Sequence, residues 1–249
     1  MMTNLKFYRN EITTLDEQFS RTALLLRKEE MDKLKNSHVA IFGIGGVGSY
    51  VTEVLARTGV GTFSLIDKDI IEISNINRQL IATFDTIGKD KVEVAKTRIL
   101  SINPNATVFT FKEFYLSGTE VDISNFDYVV DAIDTVTAKL NLIETCNNSS
   151  IPIISSMGMG NKLDPSKVTI TDIFKTSTCR LCRVMRQELR KRNIKNLKVA
   201  YSTEETVKQN KNTEKNKNVI GSIAFVPACA GIMICLLYTS PSPRDKRQS

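Results

Sequence analysis

The sequence predicts a doubly wound α/β fold, a mainly parallel Rossmann-like sheet with a mixed or antiparallel extension at its C-terminal end. Three observations lead there. From His38 onward, short β-branched runs alternate with helical patterns, the rhythm of right-handed strand–helix–strand crossovers. The strand runs are apolar almost throughout, as strands buried on both faces of a parallel sheet are. The first strand also runs into a glycine-rich turn that opens a helix, Phe42-Gly-Ile-Gly-Gly-Val-Gly48.

Strands are expected at Val39–Phe42, Thr62–Asp67, Thr107–Phe111, Tyr128–Ala132 and Pro152–Ser156, with helices at Val47–Thr58, Lys91–Ile102 and Thr137–Asn147. In the second helix, Val92, Ala95, Ile99 and Ile102 recur on one face. After Ser156 the rhythm changes, and Lys167–Ile173, Leu197–Ser202 and Ser222–Val226 read as strands of the extension. Ahead of the sheet, Asp16–Leu34 reads as helix within an N-terminal arm, residues 1–37. Glu204–Asn218, rich in lysine and asparagine, reads as a mobile loop. Residues 1–234 are taken as one domain. The apolar pattern breaks after Ile234, and Cys235-Leu-Leu-Tyr-Thr-Ser-Pro-Ser-Pro-Arg-Asp245 resembles the translation of a sequencing adapter. Residues 235–249 are therefore set apart as a non-native tail.

Composition narrows the function classes. The 249 residues are 41% hydrophobic and 24% charged, an ordinary soluble balance. No apolar run reaches the ~18 residues of a membrane span, and the N-terminus lacks the apolar stretch of a secretory signal. Five scattered cysteines do not describe a disulfide framework, which places the chain in a reducing cytoplasm. The formal charge is +7, and the tail contributes +2 of it, so residues 1–234 carry +5 and favour polyanionic partners. His38 is the one histidine. It opens the first strand, roughly 15 Å from the glycine turn at ~3.3 Å per residue. Mechanisms built on a histidine base or on two imidazoles are excluded.

The glycine turn points to a nucleotide. Gly43 permits the tight turn, Gly45 and Gly46 let backbone amides approach a phosphate, and Gly48 lets the helix pack close to the sheet. The helix N-terminus then offers amide donors to an anion. Asp67, 24 residues after Gly43, stands where a carboxylate accepts hydrogen bonds from ribose hydroxyls. To this point a nicotinamide dehydrogenase and an ATP site are equally served. The downstream set favours nucleotidyl transfer: Asp67-Lys-Asp69, then Asn75-Ile-Asn-Arg-Gln79, then Lys91 opening a helix, then Asp131-Ala-Ile-Asp134 at a strand end. Arg78 and Lys91 can neutralise the β- and γ-phosphates of ATP during transfer at the α-phosphorus. Asp134 can hold Mg²⁺, which takes few protein ligands.

These residues resemble the ubiquitin-activating-enzyme-like superfamily, and within it the tRNA threonylcarbamoyladenosine dehydratases. The resemblance spans Phe19 to Ile234. It is sharpest at Phe19-Ser-Arg-Thr-Ala-Leu-Leu-Leu26, His38 to Ser49, Asn75 to Gln79 and Val130-Asp-Ala-Ile-Asp-Thr-Val136. Ile153 to Pro165 and Cys182 to Arg192 point to the dehydratase branch. The resemblance implies that Asp67, with Asp69 and Asn75 beside it, binds the nucleoside. It implies that Arg78, Gln79 and Lys91 handle phosphates, and that Asp134 holds the metal. It also implies that Arg21 reaches the triphosphate of the neighbouring subunit in a homodimer. The implied reaction is an ATP-dependent dehydration of threonylcarbamoyladenosine beside the tRNA anticodon, through a carboxyl-adenylate. The alternative within the superfamily is adenylylation of a ubiquitin-like sulfur-carrier protein, and a non-catalytic dinucleotide-binding or redox protein is the alternative outside it. A monovalent cation near the dimer interface and a cysteine desulfurase or sulfur-acceptor partner stay open.

Two further features bear on partners. The basic stretch after Cys179 holds Arg183, Arg186, Arg190 and Arg192 against one acid, Glu188, and suits tRNA phosphates. Cys179-Arg-Leu-Cys182 has metal-ligand spacing, but a structural zinc needs four ligands, and only Cys229 lies near the end of residues 1–234. The residues therefore do not make up a zinc site. Cys146 reads as core packing inside a helix.

Overall fold

The computed structural model describes residues 17–116, 119, 121–207 and 220–239. Among them, strands β1 (His38–Phe42), β2 (Thr62–Ile66), β3 (Thr107–Phe111), β4 (Tyr128–Asp131), β5 (Ile153–Ser156), β6 (Val168–Asp172) and β7 (Lys198–Ser202) form one sheet. Its order is β3-β2-β1-β4-β5-β7-β6. Every pair is parallel except β6 with β7, the antiparallel extension at one edge. The chain steps outward one way from β1 through β2 to β3, and the other way from β4 through β5 to β7. This reversal between β1 and β4 opens a crevice at the carboxyl ends of the strands, where open α/β sheets bind ligands.

Six helices accompany the sheet among the described residues: α1 (Lys28–Asn36), α2 (Gly48–Thr58), α3 (Lys91–Ile102), α4 (Val136–Asn148), α5 (Arg180–Lys191) and α6 (Phe225–Thr239). Alternation along β1 shows how the layers form. Val39 and Ile41 join a core with Val51, Leu55, Ala95 and Ile99 of α2 and α3 and with Val226, Ala230 and Ile234 of α6. Ala40 and Phe42 point to the opposite face and pack with Val129, Leu142 and Cys146. Beside them, Leu140 and Ile143 of α4 and Cys182, Met185 and Leu189 of α5 cover Val199 and Tyr201 of β7. Cys146 is fully buried, in the packing role its helical position implies. Gly231 brings α6 across the start of α2. A Cβ there would lie 2.7 Å from the carbonyl oxygen of Val47 and 2.9 Å from Cβ of Tyr50, so any side chain would push the helices apart.

Two expectations need correction. Ser222–Val226 is not a strand: α6 begins at Phe225, with Pro227 in its first turn, where the missing amide has no partner to lose. The β-branched run misleads because β6 already fills the sheet edge. Nor does the described part of the arm form a single helix. A 3₁₀ turn, Thr22–Leu24, precedes α1, and extended backbone at Arg27 separates the two. The arm's residues 1–16 and most of the expected mobile loop, residues 208–219, lie outside the described residues. Helix α6 continues to Thr239, past the break in the apolar pattern, and Cys235 is buried in the core near Val51. Among the described residues, no helix is long and apolar enough to cross a membrane.

Candidate active site

The glycine turn is built by contacts that leave no room for a side chain at Gly43 or Gly48. Gly43 has φ +89°, and a Cβ there would lie 2.7 Å from the carbonyl oxygen of Ala132; at Gly48 a Cβ would lie 1.9 Å from that of Gly43. The turn is therefore folded back on the first residue of α2 and seated on the backbone that follows β4. The amide of Gly43 donates to the carbonyl of Ile66 at 2.8 Å.

Asp67, just past β2, ties this turn to the next strand. Its Oδ2 accepts the Ile44 amide at 2.6 Å and its Oδ1 accepts the Asp69 amide at 2.9 Å. Burial pushes its carboxyl pKa above the ordinary value, opposed by Lys91 and those two amides. Lys91, the buried first residue of α3, places Nζ 2.8 Å from Oδ2 of Asp69 and 4.0 Å from Oδ1 of Asp67. The Asn75–Gln79 turn is pinned to α2, since the Leu80 amide donates to Oγ of Ser49 at 3.1 Å. Arg78 is held by the carbonyl of Ser74 and Oδ1 of Asn77, each at 2.9 Å. Gln79 is only 6% exposed, and its Oε1 is buried without a hydrogen-bond partner. A buried acceptor in that state calls for a partner that the described residues do not supply, a water or a ligand.

These groups converge on one cavity of about 610 Å³ at the switch point. Gly43, Gly45, Gly46, Asp67, Asp69, Asn75, Arg78, Gln79, Lys91 and Asp134 all line it. Gly48 supports the turn from behind. Asp134 is exposed, and its Oδ1 accepts from Thr135 Oγ1 at 3.2 Å. A single exposed carboxylate on the cavity wall is a hard oxygen donor of the kind that could hold Mg²⁺, which takes few protein ligands. Arg21 is exposed and does not line the cavity of its own chain. The ring of nearby Phe19 lies against Gly59, at the end of α2 opposite the glycine turn, about 16 Å away along an 11-residue helix.

Several wall residues were not anticipated. Lys68 sits over the Phe114 ring at 4.6 Å, and both line the mouth with Tyr115. The far wall is Ser156 to Gly160, Leu181, Ile220, Ser222 and Pro227. Asn77 Nδ2 reaches the carbonyl of Ser222 at 3.0 Å and joins the two sides of the opening. Beneath the cavity, Lys139 and Asp131 form a fully buried ion pair at 2.8 Å. A lysine on the buried stripe with Leu142 and Cys146 was the signal for it.

The basic stretch divides by role. Arg183 and Arg190 are exposed, Arg190 lying over the Phe174 ring at 5.3 Å. Arg186 instead donates to the carbonyl of Thr176 at 3.1 Å and to its hydroxyl. Arg192 bonds Glu188 at 2.8 Å and lies 3.5 Å from Glu144. Cys179 caps α5 by accepting the Cys182 amide at 3.5 Å. Donation from the Cys182 thiol and from backbone amides brings its pKa down to about 5, and the same thiol–thiol bond pushes Cys182 upward. His38 stays at the far end of β1, hydrogen-bonded to Ser64 at 2.9 Å.

The ThiF family model matches residues 19–239, and the chain belongs to the ThiF family. It is 44% identical over 231 residues to the tRNA threonylcarbamoyladenosine dehydratase of Bacillus subtilis, covering 87% of this chain and 91% of that one. The Haemophilus influenzae protein of the same name is 41% identical over 182 residues, covering 72% and 70%. Among solved structures, the E. coli tRNA N6-threonylcarbamoyladenosine dehydratase in complex with ATP superposes with a TM-score of 0.81 at 31% identity, covering 92% of this chain and 95% of that one.

Proposed function

We propose that this chain is an ATP-dependent enzyme that dehydrates threonylcarbamoyladenosine beside the anticodon of tRNA. The observation that supports this most directly is the convergence of ten residues, from five separate segments, on one cavity in a chain so similar to dehydratases. Asp67 accepts from the ribose hydroxyls. Arg78, Gln79 and Lys91 surround the phosphates, where two cations offset charge as it builds during transfer. Asp134 would hold Mg²⁺, which would supply further charge neutralisation.

An oxygen of the threonyl carboxylate attacks the α-phosphorus, and the bond to the bridging oxygen breaks as pyrophosphate leaves. The acyl carbon of the adenylate is then attacked by an atom of the neighbouring carbamoyl group. That atom loses its proton, and AMP departs with the carboxyl oxygen, so the net loss is water. No step asks for a histidine. The chain supplies positioning and charge. Arg21, far from its own cavity, serves the cavity of a second copy in a homodimer. The exposed Arg183 and Arg190 meet tRNA phosphates in the cytoplasm.

The test is to incubate the chain with ATP, Mg²⁺ and tRNA that carries or lacks the threonylcarbamoyl group. AMP release that depends on the modification supports the assignment. Release only with a ubiquitin-like carrier protein overturns it in favour of carrier activation.

A further inference from the structure

Among the charged clusters that the mechanism leaves unused, one is fully buried. Lys139 and Asp131 are both fully buried, with Nζ and Oδ2 2.8 Å apart. Oδ2 also accepts the hydroxyl of Ser155, which lies 3.2 Å from Lys139 Nζ. The other carboxylate oxygen, Oδ1, accepts the amide of Ile133 at 3.1 Å. One carboxylate thus joins three elements at their cavity ends: the end of β4, the second turn of α4 and β5. The residues it restrains are wall residues, for Ala132, Ile133 and Asp134 follow Asp131, and Ser156, Met157 and Gly158 follow Ser155. The glycine turn rests on the same piece of backbone, since a Cβ at Gly43 would lie 2.7 Å from Ala132 O and 3.1 Å from Ile133 N.

A buried ion pair is a weak source of stability, because desolvation offsets its attraction and an uncharged replacement of similar shape is often neutral or better. A fixed geometry is what such a pair can supply in its place. We infer that Lys139 is a positioning residue for adenylyl transfer: through Asp131 it holds the Asp134 turn, the glycine turn and the β5 wall at one spacing. This inference rests on the cavity being the site of adenylylation.

The decisive variant is the double substitution Asp131→Asn with Lys139→Met, which removes both charges. An asparagine of nearly the same shape still accepts from Ile133 and donates to Ser155. Its thermal midpoint should stay within a few degrees of the parent and its KM for ATP within about twofold. Its kcat for AMP formation on threonylcarbamoylated tRNA should fall about 10²-fold, the cost of a misplacement near 1 Å. A double variant with parental kcat overturns the inference. If it fails to fold, Ser155→Ala decides for the β5 wall, since it cuts the tie between Asp131 and that strand while the ion pair stays. A kcat loss at unchanged KM supports the inference, and a parental kcat overturns it. A parent that forms no AMP sinks the dehydratase assignment instead. The positioning role is then read by hydrogen exchange on the variant that folds, supported by faster exchange confined to residues 132–135 and 43–48 and overturned by unchanged exchange there.

Discussion

The Ile44 amide and the Asp67 carboxylate are 2.6 Å apart, so the residue proposed to receive the ribose also holds the glycine turn. Asp67→Ala strips two amides of their acceptor; the part-buried Ile44 amide carries most of the cost, about 1–3 kcal/mol when left unpaired. It should lower both ATP affinity and the thermal midpoint, read by calorimetry of binding and by melting.

The same carboxyl predicts a pH effect. Burial raises its folded-state pKa above the ordinary 3.8, so the folded chain holds that proton more tightly than the unfolded one. Its stabilising contribution is full below 3.8 and is lost as pH rises through the folded value. The stability difference between the parent and Asp67→Asn should therefore move against the parent across that window, and a flat difference would contradict the assignment.

Gly48→Ala is a steric test of the turn. With 1.9 Å to the Gly43 carbonyl, the new methyl must displace the turn or the helix, costing about 2 kcal/mol or more. That corresponds to a drop of about 4–8 °C in thermal midpoint, together with loss of ATP binding.

The basic stretch should separate into two phenotypes. Arg183→Ala with Arg190→Ala should lower melting only slightly, through the lost Phe174 contact, and reduce the slope of log affinity for tRNA against log salt by roughly one per lost phosphate contact. Arg186→Ala should instead lower stability, because the Thr176 carbonyl and hydroxyl lose their donor.

Cys179 offers a spectroscopic check. Its thiolate absorbance near 240 nm should persist down to about pH 5 and shift to higher pH in Cys182→Ala, which removes the strongest donor. Titration of both variants at the ordinary thiol value would refute the arrangement.

What was legible in the sequence was what lies close along the chain or at a fixed spacing. Gly43 to Gly48 declares a strand–turn–helix junction because the steric demand is local. Asp67 follows from strand length, and Lys91 from opening α3. Of the Lys139–Asp131–Ser155 cluster only Lys139's place on an apolar stripe was legible; its partners were not, since only the sheet order brings the three elements together. Arg186 and Arg192 were hidden in a charge run, where residue type does not reveal which side chains turn back onto the fold. Ser222–Val226 imitated a strand in composition alone. The wall formed by Met157, Leu181 and Pro227 depends on how α5 packs beside β5 and on how the chain returns after β7, which no local pattern encodes.

The hydrogen bond from Asn77 to Ser222 spans 145 positions of sequence, and Pro227 faces the Gly46 turn, its Cβ 3.3 Å from where a Cβ of Gly46 would stand. A polypeptide emerging from the ribosome therefore displays its glycine turn long before it owns the opposite wall. Nascent chains halted before residue 220 would hold a half-made cavity, and the proposed ATP capture would await α6.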